Sequence, residues 1–92
     1  MSVRVKIPTQ LRTLTGGEAE LNVAEASDVR DLLGKIGAKH PDLTERLLDD
    51  NGEIRRFVNI YVGDEDVRFL DGLNTALESG SQVSILPAVA GG

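Results

Sequence analysis

The chain has 92 residues, of which 40% are hydrophobic, and its 15 acidic and 10 basic side chains give a formal net charge of -5. A chain of this length folds as one domain with one modest core, and its acidity and single basic pair, Arg55-Arg56, argue against a nucleic-acid partner. Because there is no cysteine, disulfides, thiolate metal ligands and a cysteine nucleophile are excluded.

The first quarter of the chain predicts an antiparallel β-hairpin. Apolar residues alternate with other residues over 3–7 and again over 19–23, which is the period of a half-buried strand. The first strand is expected to end at Pro8, and residues 15–17 (Thr-Gly-Gly) form a turn signal between the two segments. Two strands joined through a glycine-containing connection favour a hairpin.

The apolar period becomes helical after residue 26. Ser27 is a suitable N-cap, and acidic residues follow it in the first turn. Gly34 and Gly37 lower helix propensity, and we expect them to let the helix lie close to the sheet. The helix should end before Pro41, because a residue that precedes proline avoids the helical conformation; residues 42–48 predict a short second helix. Four apolar residues at helical spacing form one stripe: Val29, Leu32, Leu33 and Ile36.

The second half of the chain predicts a return to strands. The order strand, strand, helix, strand, strand, strand predicts an α+β domain, in which one main helix packs on one face of a mixed sheet. We expect this domain to span residues 1–87 and to be followed by a flexible tail, residues 88–92. Three segments separated by turns carry the strand signals: residues 57–62, 67–70 and 83–86.

The end of the chain holds the residues to which we assign the chemistry. Ala88, Val89, Ala90, Gly91 and Gly92 are small, and the two glycines leave the terminal carboxylate able to enter a narrow channel of a partner. An ATP-using partner could convert that carboxylate to an acyl-adenylate, and sulfide could then displace AMP to leave a thiocarboxylate. Without a cysteine, Gly92 is the candidate sulfur-carrying group, and its tether raises its effective concentration at a docked partner.

The side chains show no competing catalytic or metal-site motif. Residues 64–66 are acidic but lack the glycine and distal glutamate of a calcium-binding loop, and His40 has no nucleophile beside it in a motif. We therefore expect no bound metal, no cofactor other than the ATP consumed by the activating partner, and no enzymatic activity of the chain itself. No apolar run approaches the length of a membrane span, so we expect a cytoplasmic protein that does not bind membranes and is a monomer alone.

An apolar surface is expected beside the tail. If Val83 and Ile85 point into the core, Leu86 points away from it, and Phe57 and Tyr61 occupy the outward register of their own strand. Leu86, Phe57 and Tyr61 are therefore candidate partner-binding residues. The alternative is that these side chains pack under the second helix or within the sheet.

The chain resembles the ubiquitin-like (β-grasp) sulfur carriers, the family of the thiamine-pathway carrier and of the small subunit of molybdopterin synthase. The resemblance covers essentially the whole chain and is closest to the actinobacterial carrier for cysteine biosynthesis. It is carried by the ending from Pro87 to Gly92, by the turn at 80–83, by residues 7–9, 11–12 and 16–17 near the start, and by the segments 56–62 and 64–69.

The resemblance implies that an enzyme of the ubiquitin-activating type adenylates Gly92 and that Leu86, an apolar position near the end, contributes to docking. In the cysteine branch it also implies a pyridoxal-phosphate cysteine synthase as sulfur acceptor and a metalloprotease that releases the cysteine; relatives also donate sulfur in secondary metabolism. Four functions stay open at this point: a shuttling sulfur carrier, a stable small subunit of a molybdopterin-synthase-like complex, a ubiquitin-like protein modifier, and a β-grasp binding module with an inert tail.

Overall fold

The computed structural model describes residues 2–87, in which five strands form one mixed sheet in the order β2-β1-β5-β3-β4. Helices α1 and α2 and three short 3-10 helices connect these strands. The bounds are β1 (Val3–Lys6), β2 (Glu20–Val23), α1 (Val29–Lys39), α2 (Pro41–Leu47), β3 (Val58–Val62), β4 (Glu65–Asp66) and β5 (Gln82–Pro87), with 3-10 helices at Thr9–Thr15, Val67–Phe69 and Gly72–Asn74.

The central strand of the sheet is β5, the last one in the chain. It runs parallel to β1, with Val5 opposite Val83, and antiparallel to β3, with Ile60 opposite Ile85. β1 and β2 form the expected antiparallel hairpin, and the two-residue β4 pairs with the end of β3. One parallel pair within an otherwise antiparallel sheet is the mixed arrangement that the sequence predicts.

The core lies between one face of the sheet and the helices. The stripe of α1 is buried as predicted, and Leu43 and Leu47 of α2 are also fully buried. Burial of each such side chain contributes about 1.5–3 kcal/mol relative to exposure. From the sheet, the inward residues of alternate positions complete the core: Val3, Val5, Val58, Ile60, Val83 and Ile85. The core side chains are aliphatic, so the aromatic residues stand outside it.

The start of α1 differs from the prediction by one residue. The N-cap is Asp28, whose Oδ1 accepts a hydrogen bond from the backbone N–H of Asp31 at 2.8 Å. Ser27 instead donates its backbone N–H to Asp31 Oδ2 at 3.0 Å. The two bonds form a reciprocal cap that satisfies two amides at the beginning of the helix, which explains why Asp28 displaces Ser27 from the cap position.

The expected role of the two helical glycines is wrong. A Cβ added at Gly34 would meet no other atom, whereas a Cβ at Gly37 would lie 2.9 Å from Thr44 Oγ1 of α2. Gly37 therefore permits the approach of α2 rather than of the sheet, because the sheet is contacted by the apolar stripe on another side of α1. The predicted end of α1 and the short second helix are both confirmed, with Pro41 in the first turn of α2.

The predicted strand at 67–70 is also wrong. β4 consists of Glu65 and Asp66, which the sequence pattern assigns to a turn, and Val67–Phe69 is a 3-10 helix. The cause is local: Asp66 Oδ1 accepts the backbone N–H of Arg68 at 2.9 Å, and this bond turns the chain away from an extended course. The 3-10 helix at Thr9–Thr15 was not predicted either; Gly16, with φ of 70°, closes it.

Candidate functional site

The candidate site is the end of β5 and the sheet surface around it. β5 is hydrogen-bonded on both sides, and its last residue, Pro87, lies opposite Val58 of β3. The predicted tail, Ala88, Val89, Ala90, Gly91 and Gly92, lies outside the described residues, so its role and the division at residue 87 stay predictions. The structure does show that β5, the strand that precedes the predicted tail, lies in the middle of the sheet.

The sheet face opposite the core presents Leu86, Ser84, Asn59 and Tyr61, here called the outer sheet surface. Leu86 is 48% exposed and lies opposite Asn59, and Tyr61 lies opposite Ser84. Leu86 and Tyr61 are thus diagonal cross-strand neighbours, a separation at which large side chains interact. Strand pairing brings these two predicted residues onto one face.

Phe57 lies beside the outer sheet surface rather than within it. It sits in the turn that leads into β3, next to the Val58–Pro87 pair, and is 55% exposed. Because Leu86 and Phe57 are exposed, neither of them packs beneath α2; Tyr61 is partly covered. Their part in partner binding stays a prediction.

Arg68 supports this surface, although the sequence pattern did not single it out for this role. Its Nη1 donates to Asn59 Oδ1 at 2.7 Å, and its Nη2 donates to the backbone carbonyl of Arg55 at 2.9 Å. The short β4 pairs only with Tyr61 and Val62, and the Arg68 side chain links Asn59 of β3 to the backbone just before this strand. No signal in the sequence would have paired Arg68 with residues so far ahead of it.

Two cations lie on the other side of Leu86. Lys6, Arg12, Glu20 and Leu86 contribute to the lining of a shallow depression of about 450 Å³ between β1, β2 and β5. Arg12 is held there by a hydrogen bond from its Nε to the backbone carbonyl of Ile7 at 3.1 Å. An apolar side chain flanked by cations suits a partner surface that combines apolar and acidic groups. The alternation in β1 predicts that Lys6 points outward. That Lys6 lies near Leu86 follows only from the pairing of β1 with β5.

Two kinds of feature are absent from the described residues. Between residues 2 and 87, no three His, Asp or Glu side chains lie close enough together to hold a metal ion. Over the same residues, no helix has both the length and the apolar character that crossing a bilayer requires.

Comparison with known proteins decides the family. Residues 5–92 match the family model described as "ThiS family". The chain belongs to the ThiS family. It is 48% identical over 94 aligned residues to the sulfur carrier protein CysO of Mycobacterium tuberculosis, and the match covers 100% of both chains.

Two further relatives extend this result. A chain in the crystal structure of the Amycolatopsis orientalis BexX/CysO complex superposes with a TM-score of 0.89 at 43% identity, covering 98% of this chain and 99% of that one. Small archaeal modifier protein 3 of Haloferax volcanii is 40% identical over 70 residues, which is 76% of this chain and 75% of the relative.

These findings confirm the resemblance to the ubiquitin-like sulfur carriers and, with the observed sheet, the β-grasp fold. The protein is a sulfur carrier, and it acts as a carrier rather than as an enzyme. Among residues 2–87, the outer sheet surface includes Leu86, which directly precedes Pro87, the last described residue.

Proposed function

We propose that the carboxylate of Gly92 is the group that carries sulfur. An enzyme of the ubiquitin-activating type adenylates this carboxylate with ATP and releases pyrophosphate. Sulfide then attacks the acyl carbon and AMP leaves, so that the C-terminus becomes a thiocarboxylate whose ionised sulfur is donated to an acceptor. Because ATP is a cytoplasmic substrate, we place the reaction in the cytoplasm.

The observation that carries this proposal is the position of β5. β5 pairs with β1 through residues 82–84 and with β3 through residues 83–87, so Pro87 is held opposite Val58 while Leu86 stays exposed on the outer sheet surface. Five residues follow Pro87, and an extended chain of that length reaches at most about 18 Å. A partner that binds the outer sheet surface therefore has the terminal carboxylate within a defined radius, which raises the effective concentration of the reacting group.

We assign docking of the activating enzyme to Leu86 and Tyr61, with Phe57 at the border of the contact. The exposure of Leu86 and Phe57 next to Pro87 supports this assignment, with Tyr61 as the neighbour of Leu86 on the same surface, and Lys6 and Arg12 extend it with positive charge. Aromatic and arginine side chains are over-represented in protein interfaces, and an apolar centre with a charged rim is their common arrangement.

We propose cysteine synthesis as the first sulfur-accepting pathway to test. The similarity to the CysO carriers over the full length of the chain supports it. The acceptor would then be a pyridoxal-phosphate cysteine synthase, and a metalloprotease would free the cysteine from the carrier. Transfer of sulfur to a secondary metabolite uses the same activated end and differs only in the acceptor enzyme.

Intact-mass spectrometry tests the central step. The purified chain is incubated with ATP, sulfide and the activating enzyme of the same organism, and the expected result is a mass increase equal to the difference between sulfur and oxygen. A variant without Gly91 and Gly92 is the matched control and should show no increase. If the full chain gains no sulfur while the enzyme activates its other carriers, or if the truncated variant gains sulfur equally, Gly92 is not the carrier group.

A protein modifier is the second candidate function, because one relative is named a small archaeal modifier protein. In that case a lysine amine of a target protein, rather than sulfide, attacks the activated Gly92. Denaturing gels of cell extracts discriminate the two functions: a modifier produces conjugates that disappear when Gly92 is deleted, and a carrier produces none. A stable subunit of a larger enzyme would instead copurify with its partner in equal amounts.

A further inference from the structure

The β2 edge of the sheet is separated from β5, the strand of Leu86, by β1. β2 pairs with β1 on one side, and within residues 2–87 no strand covers its other side. The backbone N–H of Ile7 donates to the carbonyl of Ala19 at 2.8 Å, so Ala19 directs its backbone groups toward the β1 side. Because this direction alternates along an antiparallel strand, Glu20 and Asn22 direct their N–H and C=O groups outward from the edge.

A groove runs beside these outward backbone groups, between β2 and α1. It has a volume of about 250 Å³, and Leu21, Val23 and Ile36 supply its apolar lining. An added strand on β2 would project alternate side chains toward this lining, since side chains alternate between the two faces of a sheet. The groove therefore lies where every second side chain of such a strand would point.

The α1 side of the groove is basic, although the chain as a whole carries a net charge of -5. Lys39 is exposed and makes no ion pair with any residue between 2 and 87. Lys35 Nζ donates to the carbonyl of Glu25 at 2.6 Å and pairs with Asp31 at 3.3 Å, which partly neutralises it. His40 also lines this side, and Glu18 is the one carboxylate in the lining.

We propose that the β2 edge binds an extended segment of a partner protein in which apolar side chains alternate and carboxylates lie next to Lys39. The segment adds a strand to the sheet: its backbone bonds the free groups of Glu20 and Asn22, and its apolar side chains enter the groove. The positive side of the groove selects acidic over basic segments. This binding mode uses neither Gly92 nor the outer sheet surface, so it stands independently of the proposed function.

An NMR titration with synthetic peptides tests the proposal. The probe alternates valine with threonine and ends in a run of aspartates; the control peptide has lysines in place of the aspartates. We expect shift changes confined to β2 and the facing side of α1, slower hydrogen exchange of the Glu20 and Asn22 amides, and no comparable binding of the lysine peptide.

Two variants and one peptide complete the test. Asn22→Pro removes an edge N–H without disturbing the pairing to β1 and should abolish protection at the edge. Lys39→Glu should weaken the acidic peptide about fivefold, the effect of reversing one exposed charge pair. If Asn22→Pro does not fold, methylation of alternate peptide nitrogens interrupts the same bonds from the partner side. Equal binding of both peptides, unchanged binding by Lys39→Glu, or shift changes that avoid β2 would each overturn the proposal.

Discussion

The contact between Gly37 of α1 and Thr44 of α2 gives a prediction whose sign can be worked out from the structure. Gly34 and Gly37 lie on the same helix, and replacing either by alanine gains about 1 kcal/mol of helix propensity. At Gly34 the new methyl group meets nothing, so Gly34→Ala should stabilise the protein by about that amount.

At Gly37 the same methyl group would lie 2.9 Å from Thr44 Oγ1, 3.5 Å from its Cβ and 3.6 Å from its Cγ2. Thr44 is β-branched and stiff, so α1 and α2 have to separate slightly, and overpacking of this kind costs about 1–3 kcal/mol. After subtraction of the propensity gain, Gly37→Ala should lie between about neutral and about 2 kcal/mol destabilising.

Urea unfolding followed by circular dichroism measures both variants, and Thr44→Ala supplies the control. Thr44 Oγ1 is buried without a hydrogen-bond partner among the described residues, so its removal leaves no other group unpaired. In the Thr44→Ala background, Gly37→Ala should stabilise the protein as Gly34→Ala does, a coupling of about 1–3 kcal/mol between the two sites. Equal stabilisation by Gly34→Ala and Gly37→Ala in the wild-type background would refute the packing argument.

Three further predictions concern Leu86, Arg68 and the cap of α1. Leu86→Asp should raise the KM of the activating enzyme for this protein about tenfold with little change in kcat, because the change removes binding rather than chemistry. Leu70→Asp, which changes another exposed leucine, should leave the KM unchanged. Steady-state adenylation kinetics measure both variants, and equal KM values would exclude Leu86 from the contact. Arg68→Ala should lower the free energy of unfolding by about 1–2 kcal/mol, because it removes two hydrogen bonds. Arg68→Lys should lower it by less, since lysine keeps one of the two bonds. Urea unfolding curves that coincide with the wild type would show that the bonds contribute nothing to stability. The Ser27 backbone N–H and then the Lys35 ammonium lower the pKa of Asp31 from its ordinary 3.8. The stabilisation from ionised Asp31 is therefore complete above pH 3.8 and is lost as the pH falls toward the lower pKa of the folded state. Thermal melts in acidic buffers should show this loss in the wild type, and an equal loss in Asp31→Asn would assign it to other groups.

Elements whose signal is a burial period were predictable from the sequence. The stripe of α1 and the alternations of β1, β2, β3 and β5 repeat over four or more residues, so one misleading residue does not change the assignment. Two of the errors fall where a single side-chain hydrogen bond sets the backbone. Asp66 turns residues 67–69 into a 3-10 helix, and Asp28 takes the cap from Ser27.

The period within one strand predicted part of the site, and the register between strands decided the rest. The alternation of β5 shows that Leu86 points away from Val83 and Ile85, and exposure confirms it. That Tyr61 shares its face, and that Phe57 borders it, depends on the register between β3 and β5. Register is decided by contacts between strands, and a period within one strand carries no information about its neighbour.

By itself, the sequence determined the order of the strands and of α1 and α2, and the side of each strand that is buried. The assignment of the carrier chemistry to Gly92 stays a prediction. Tertiary structure alone decided that β5 lies between β1 and β3, that Arg68 bonds Asn59 and Arg55, and that a basic groove follows the β2 edge. The physical reason is the distance along the chain over which each interaction acts. Periodicity and turn chemistry act over a few consecutive residues, whereas pairs such as Val5 with Val83 form only when the chain closes on itself and buries both.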